Sequence, residues 1–161
     1  MKRYVLLLSI AIASGLLLTN VYTSMVDSSS WGSAIPQSIL TAREYFKASN
    51  PGKFFRVFSP LNQLLGLAAL IGYWRTSRRA RFALAAAFLL YVLGDVLTFA
   101  YFYPRNEILF NAVPIATTEV LRKVWHEWDA MNWVRSLILL VGILFSFSGL
   151  NSIYQRVNAA R

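Results

Sequence analysis

Long apolar runs, separated by polar or charged segments, are the main feature of the chain. Four of them are candidates for membrane-spanning helices, at about residues 4–22, 60–74, 82–103 and 131–154. A helix rises about 1.5 Å per residue, so roughly 20 residues cross the hydrocarbon core of a bilayer. The first, third and fourth runs are long enough. The second is short, and we expect it either to extend outward through Phe54, Phe55 and Phe58 or to lie in locally thinned bilayer.

The last third of the chain carries a stripe of positions at unbroken intervals of three or four residues. Such intervals place the stripe on one face of a single long helix. No proline interrupts residues 119–147, so we predict one helix that begins near Thr117 or Thr118 and runs through the fourth span. The outer half of the stripe is polar and aromatic, and the inner half is small and apolar. Its members are Leu121, Trp125, Trp128, Asn132, Arg135, Leu139, Gly142, Ser146 and Gly149.

Turn-forming residues divide the long segment between the first two spans. Residues 27–33 are rich in Ser and Gly and predict a loop. After Pro36, residues 37–48 place apolar side chains on one side and charged ones elsewhere, which predicts a short amphipathic helix over the bundle or on the membrane surface. Residues 50–52 should end this helix.

Prolines mark the expected ends of two spans. Ser59 and Pro60 are typical of an N-cap followed by a first helical residue, so the second span is expected to begin there if it does not extend outward. Pro104 is expected to end the third span. The mostly apolar residues 108–114 should then fold back over the mouth of the bundle as a loop.

The composition indicates the class of protein. Hydrophobic residues make up 57% of the 161 residues and charged residues only 14%, which argues against a soluble domain. Residues 1–18 also resemble a secretory signal, but no clean small-residue cleavage pattern follows, so we assign them to the first span. We predict a single domain, residues 1–161, of the all-α integral membrane class. It is a bundle of four transmembrane helices, with a short amphipathic helix outside and a long last helix extending beyond the membrane.

The net charge of +9 is explained by where the basic residues lie. Acid-free basic segments flank the span ends, with Lys2 and Arg3 before the first span, residues 75–81 between the second and third, and Arg156 after the fourth. The positive-inside rule then predicts a multi-pass protein of the cell membrane with both termini in the cytoplasm. Nucleic acid is not an expected partner, because lipid headgroups and topology explain these arginines.

The chain has no cysteine and one histidine. Disulfides, iron–sulfur clusters, thiolate zinc sites and cysteine nucleophiles are therefore excluded. The acids Glu119, Glu127 and Asp129 lack the ligand spacing of zinc or di-iron sites, and no Gly-rich phosphate loop or nucleophile elbow is present. We expect neither a metal nor another cofactor.

Two charged residues lie inside apolar runs, where each costs several kcal/mol unless it is paired and hydrogen-bonded. Arg135 shares the stripe of the last helix with Asn132. Asp95 lies in the third span, with Tyr91 and Thr98 on the same helix face. We expect Asp95 and Arg135 to converge, directly or through one bridging group. Asp95 would then be a member of a structural ion pair, a neutral hydrogen-bonded residue, or a residue in direct contact with a ligand.

Three motifs stand out together: Asn50-Pro51 with a following Phe-Phe-Arg, the Tyr103-Pro104-Arg105-Asn106 exit of the third span, and the polar-aromatic stripe before the last span. In this combination the chain resembles the anthrone oxygenase-like family of membrane proteins, many of whose bacterial members have no known function. The resemblance covers most of the chain and is most specific in residues 102–150. It implies a four-helix membrane protein, and a few members oxidise anthrones to anthraquinones with molecular oxygen and no bound metal or flavin. The matching residues are Asn106, Trp125, Trp128, Asn132 and Arg135.

Oxygenation without a cofactor needs an acidic substrate that becomes a carbanion or enolate, a base, a positive group for the oxyanion and a dry aromatic pocket. Arg135 with Asn132 can stabilise an oxyanion. Asp95, or less favourably His126, can take the proton. The predicted catalytic residues are therefore Arg135, Asn132 and Asp95. The predicted substrate-binding residues are Trp125, Trp128, Asn106 and Tyr91.

Two classes of function are open. The first is an anthrone oxygenase-like monooxygenase with an outward-facing pocket, acting on a lipophilic aromatic or quinone-like molecule. The second is a non-catalytic accessory protein, in which Asp95 and Arg135 lock the bundle and the pocket holds a lipid or a partner helix. Interfacial anchoring is the alternative role of the tryptophans, and a solvated position that of His126. Homo-oligomerisation is open, and the lack of inverted repeats disfavours a transporter.

Overall fold

The protein is helical throughout the part of the chain, residues 2–159, that the computed structural model describes. Its helices are α1 (Lys2–Gly32), α2 (Gln37–Tyr45), α3 (Pro51–Tyr73), α4 (Arg78–Asn111) and α5 (Thr118–Ala159). No strand occurs among these residues. The predicted domain also includes residues 1, 160 and 161, which lie outside the described part.

Four of the helices, α1, α3, α4 and α5, are long and apolar enough to cross a membrane. Each of α1 and α4 packs against both α3 and α5, which makes a four-helix bundle. The predicted membrane fold is confirmed, including the short helix α2 and the 42-residue α5, which is longer than a bilayer requires. We call the end with Lys2, the α3–α4 turn and Arg156 the basic end, and the end that carries α2 the capped end.

The loop predicted at residues 27–33 is wrong, because α1 continues to Gly32 through a π-helical segment, Thr23–Ser28. These last turns bury Ser28 and Trp31 at the capped end. Such tertiary packing outweighs the weak helix propensity of serine. The hydroxyl of the exposed Ser30 donates to the backbone carbonyl of Val26 at 2.8 Å, so its polar group is satisfied within the helix.

The second span extends outward, as one of the two expectations for it stated. α3 begins at Pro51 and passes through Phe54 and Phe55. Pro60 lies inside the helix, so the prediction that Ser59 and Pro60 begin it is wrong. Pro51 already occupies the first turn, where the missing N–H of proline costs nothing, whereas Pro60 removes one helical hydrogen bond.

α4 likewise continues beyond its predicted end. Pro104 lies in the first turn of an α-helical segment, Tyr103–Asn106, that directly follows the π-helical Thr98–Phe102. A proline is tolerated at such a position because its N–H would have no partner within that turn. The next segment, Glu107–Asn111, is π-helical. The loop predicted at residues 108–114 is therefore limited to the residues after Asn111.

Small residues on the inner half of the α5 stripe let α4 and α5 approach closely. The stripe faces the interior of the bundle, as predicted, and both of its glycines are buried. An ideal Cβ at Gly142 would lie 2.7 Å from a ring carbon of Tyr91, and one at Gly149 would lie 2.8 Å from a methyl group of Leu84. Neither position has room for a larger side chain without a shift of its neighbour.

Replacing Gly142 with alanine should destabilise the protein by about 1–3 kcal/mol, because the added methyl overlaps the buried ring of Tyr91. The matched control is Gly15→Ala in α1, where a Cβ meets nothing within 4 Å and only the gain in helix propensity should appear. Thermal unfolding in detergent measures both variants. Equal shifts in the two unfolding midpoints would contradict close packing of Tyr91 on α5.

Candidate functional site

The guanidinium of Arg135 lies near the capped end of the bundle, and its side chain is only 8% exposed. Its Nη2 donates to Asn20 Oδ1 of α1 at 2.8 Å and to Asn132 Oδ1 of α5. Its Nη1 donates to Thr98 Oγ1 of α4 at 3.2 Å. Three helices thus hold one cation. We call Arg135, Asn132, Asn20, Ser24 and Thr98 the guanidinium cluster.

Asn132 fixes the position of Arg135 within this cluster. It is fully buried, and its Nδ2 donates both to the backbone carbonyl of Asn20 at 2.9 Å and to Ser24 Oγ at 2.7 Å. Both amide hydrogens are therefore committed to α1, and the amide oxygen is left to accept from Arg135. In this arrangement Asn132 has no free N–H left for another acceptor, and its contact with Arg135 holds the guanidinium in place.

No carboxylate lies within 4 Å of Arg135, since the ion pairs in the described part of the chain join Lys47 to Glu44 and Arg105 to Glu127. Its Nε is buried and has no acceptor. The rings of Phe102 and Phe55 lie 4.1 Å and 5.4 Å from its central carbon. The direct contacts of the cation are thus dipoles and aromatic faces, and its Nε has unused capacity for an acceptor.

Asp95 forms a second polar cluster, with α3. Its two carboxylate oxygens accept from Ser59 Oγ and from Gln63 Nε2, the latter at 3.0 Å. Asp95 and Arg135 do not meet directly, which corrects that part of the expectation, and no side chain in the described part of the chain bonds to both. Ser59 and Gln63 of α3 instead supply the hydrogen bonds of the carboxylate.

The two clusters are nevertheless neighbours along α4. Asp95 and Thr98 share one helix face, three residues apart. That separation is about 4.5 Å along the helix axis, and Thr98 accepts directly from Arg135. A carboxylate and an unpaired guanidinium thus lie about one helical turn apart without neutralising each other by contact.

The two tryptophans of the stripe close the capped end above Arg135. Trp125 Nε1 donates to the backbone carbonyl of Ser28 at 2.8 Å. Trp128 is 5% exposed, and its Nε1 donates to Asn106 Oδ1 at 2.8 Å. Trp128 also meets Phe102 and Trp31 edge to face, with ring centroids 5.4 Å and 5.2 Å apart. The aromatic cluster of Trp125, Trp128, Trp31 and Phe102 therefore shares Phe102 with the guanidinium site.

Two residues considered for the site lie apart from it. Tyr91 is two turns deeper, where its hydroxyl and Ser146 Oγ share a hydrogen bond of 2.9 Å and its ring packs on Gly142. His126 is exposed at the capped end, beside Trp125 at 4.4 Å between ring centroids. The position of His126 agrees with a solvated residue rather than with a base in the bundle.

Two arginines join the helices at the capped end. Arg43 of α2 donates to the backbone carbonyls of Leu109 at 2.8 Å, of Ile108 at 3.1 Å and of Ala112 at 3.1 Å. Arg105 pairs with Glu127 at 2.8 Å and lies 3.4 Å from the centroid of the Tyr101 ring. These contacts join α2 and the end of α4 to the outer part of α5.

Several residues of the site were not assigned to it from sequence, above all Ser24, Ser28 and Trp31. A signal was present, because the buried positions of α1 continue at intervals of three or four residues past the predicted end of the span. The series is Leu6, Ser9, Ala13, Leu16, Asn20, Ser24, Ser28 and Trp31. The turn-forming character of residues 27–33 obscured it.

Comparison with known proteins adds one finding. A protein-family model described as anthrone oxygenase matches residues 54–145, more than half of the chain. The match contains Asp95 and Arg135 with both phenylalanines beside the guanidinium, but it does not contain Asn20 or Ser24. No curated protein and no solved structure matches the chain.

Proposed function

Since the chain belongs to the anthrone oxygenase family, we propose that it is a membrane-embedded oxygenase that oxidises a lipophilic aromatic substrate without a bound cofactor. The observation that carries this proposal is the buried guanidinium of Arg135. It has no carboxylate partner within 4 Å and an Nε without an acceptor. A buried cation of this kind suits an oxyanion that forms during a reaction.

The proposed reaction begins with an acidic CH₂ group between aromatic rings, opposite a carbonyl, as in an anthrone. Asp95 takes one proton, and the electron pair left on carbon delocalises onto the carbonyl oxygen, which Arg135 stabilises. The resulting carbanion gives an electron to molecular oxygen, and the two radicals combine to form a C–O bond. Protonation gives a hydroperoxide, which loses water with cleavage of its O–O bond. In balance, one anthrone and one O₂ give one anthraquinone and one water.

Other residues have supporting roles in this proposal. Asn132 positions Arg135, and Ser59 and Gln63 orient the carboxylate of Asp95. The proposed substrate-binding residues are Trp125, Trp128, Asn106 and Tyr91. Because the aromatic side chains of the capped end pack on one another, a flat substrate must separate them, and we propose that the outward-facing pocket forms in this way.

The direct test is oxygen uptake by the purified full chain in detergent, with anthrone as substrate and without added metal or flavin. We expect uptake above the spontaneous rate, with anthraquinone and no hydrogen peroxide as products. The control is the Arg135→Gln variant at the same concentration. If the wild type consumes oxygen no faster than the spontaneous reaction, the protein is not an oxygenase of this class of substrate, and equal rates of wild type and variant above it would reject the role of Arg135.

A non-catalytic accessory protein is the second candidate. It is favoured by the indole N–H groups of Trp125 and Trp128, which are already bonded within the protein. Mass spectrometry of molecules that copurify with the chain separates the two candidates. A flat aromatic molecule supports the oxygenase, whereas phospholipid alone supports the accessory protein.

We also propose that both termini are cytoplasmic, because the basic end carries the acid-free segments. Exposed, uncharged positions are available at both ends for a labelling test. Cysteines introduced at Ser29 and Thr118 should react with an impermeant maleimide added to intact cells, and one at Gln155 should react only after lysis. Labelling of the Gln155 variant in intact cells would reverse the proposed orientation.

A further inference from the structure

A hollow at the basic end lies between the start of α4 and the last turns of α5. It is lined by Ser77, Arg78, Arg79, Ser152, Gln155 and Arg156. The three arginines come from two helices and are all exposed. Within the described part of the chain none of them donates a hydrogen bond to the protein, in contrast to Arg43, Arg105 and Arg135. Their N–H donors, about five on each arginine, are therefore available to a ligand.

No acid balances this charge. Asp and Glu are absent from residues 57–94 and 130–159, which include both walls of the hollow. Three arginines thus line one hollow that has no acidic side chain in either wall. At the edge of a bilayer the available counterion is a lipid phosphate. Guanidinium groups match a phosphate in geometry, because each can donate two parallel hydrogen bonds.

An apolar surface leads from the hollow into the bilayer. Phe82 lies one turn after Arg78 and is 69% exposed. Its ring meets Phe145 of α5 edge to face, with centroids 6.4 Å apart. The surface where α4 meets α5 therefore changes from charged to aromatic side chains over about 6 Å of helix axis. A phospholipid changes in the same order, from a charged headgroup to an apolar acyl chain.

We propose that this hollow binds the headgroup of an anionic phospholipid, with the phosphodiester between Arg78, Arg79 and Arg156 and an acyl chain over Phe82. A zwitterionic lipid fits less well, since its ammonium group would meet three uncompensated positive charges. Free phosphate lacks the acyl chain that the neighbouring phenylalanines would cover. The site lies at the opposite end of the bundle from Arg135, so it is independent of the proposed oxygenase chemistry.

Native mass spectrometry of the full chain in neutral detergent tests the proposal, with phosphatidylglycerol and phosphatidylcholine supplied in equal amounts. We expect preferential binding of phosphatidylglycerol. The variant Arg78→Gln/Arg79→Gln/Arg156→Gln should lower its affinity by about 10- to 100-fold, given the contribution of a surface arginine near anionic lipid. The matched control, Arg3→Gln/Arg75→Gln/Arg81→Gln, removes three arginines of the same end outside the hollow and should change the affinity by about twofold or less.

Three results would overturn the site. Equal losses in the two triple variants would mean a diffuse charged surface, and equal binding of the two lipids would mean no headgroup recognition. Displacement of phosphatidylglycerol by inorganic phosphate at millimolar concentration would identify a soluble anion as the ligand.

If the triple glutamine variant does not fold, the triple lysine variant at the same positions is the alternative test. It keeps the positive charges but loses the planar pair of donors of each guanidinium. It should bind phosphatidylglycerol about three- to tenfold more weakly than wild type, and unchanged binding would reject the proposal.

Discussion

Replacement of Arg135 with alanine should lower the rate of anthrone oxidation by about 100- to 1,000-fold, while the affinity for the substrate falls much less. The guanidinium stabilises a negative charge that is present on the substrate oxygen only after the proton has left. It therefore acts more strongly on the transition state than on the neutral ground state. Steady-state oxygen uptake gives the rate, and quenching of tryptophan fluorescence gives substrate binding.

The control for Arg135 is Arg105→Ala. This side chain is partly buried near the capped end, but it is already paired with Glu127, so its loss should disturb the cap without removing an oxyanion partner. The thermal unfolding midpoints of both variants show whether a fall in oxidation rate comes from a loss of stability or from the loss of a group that takes part in the reaction. A similar fall in rate for the two variants, at similar stability, would show that Arg135 has no special part in the reaction.

Replacement of Asp95 with asparagine should lower the rate by about 100- to 10,000-fold, the usual contribution of a general base. Asparagine has the same shape and can still accept a hydrogen bond from Ser59 or Gln63, so the packing of α3 on α4 should persist. Removal of the substrate proton can be observed separately from oxidation. Without oxygen, the enzyme should catalyse exchange of the substrate CH₂ hydrogens with deuterium from D₂O. This exchange should be lost in Asp95→Asn.

The control for Asp95 is Asp129→Asn, which changes another partly buried acid, on α5, whose Oδ1 has no hydrogen-bond partner. It should leave the exchange rate within about twofold of wild type, since a residue outside the site affects the barrier little. Exchange that survives in Asp95→Asn but not in Asp129→Asn would transfer the role of base to Asp129.

The long helix α5 could be predicted from sequence because a single unbroken periodicity determines it. Its stripe has one interval pattern from Leu121 to Gly149, with no proline or glycine cluster to compete with it, and the same residues face the interior in the structure. The ends of α1 and α3 could not be predicted in this way. At the end of α1, serines with local preferences for turns are overruled by the burial of Ser28 and Trp31. At the start of α3, two prolines each fit the first turn of a helix, and the sequence alone did not decide between them.

The partners of Arg135 could not be predicted either, for a different reason. The periodicity of one helix states which of its side chains face inward, but not which side chains of other helices they meet. Asn20 and Arg135 are 115 residues apart in sequence, and Ser59 and Asp95 are 36 residues apart on two different helices. The sequence therefore identified the two charges that need partners, and the three-dimensional packing assigned those partners.

Arg43 bonds three backbone carbonyls at the end of α4, which has a consequence for how a substrate arrives. Moving α2 away from the bundle would break all three of these hydrogen bonds together. The contacts of Arg43 therefore keep the capped end of the bundle closed toward water. The side of the bundle is less protected, because α3 has the smallest buried share of the four spanning helices. The ring of its Phe55 lies over Arg135. Under the proposed function, a substrate dissolved in the lipid phase has to displace the side chain of Phe55. A substrate in water has to move the whole of α2 and break its hydrogen bonds to α4. Partitioning into the membrane, rather than concentration in water, would then determine how fast the site is supplied.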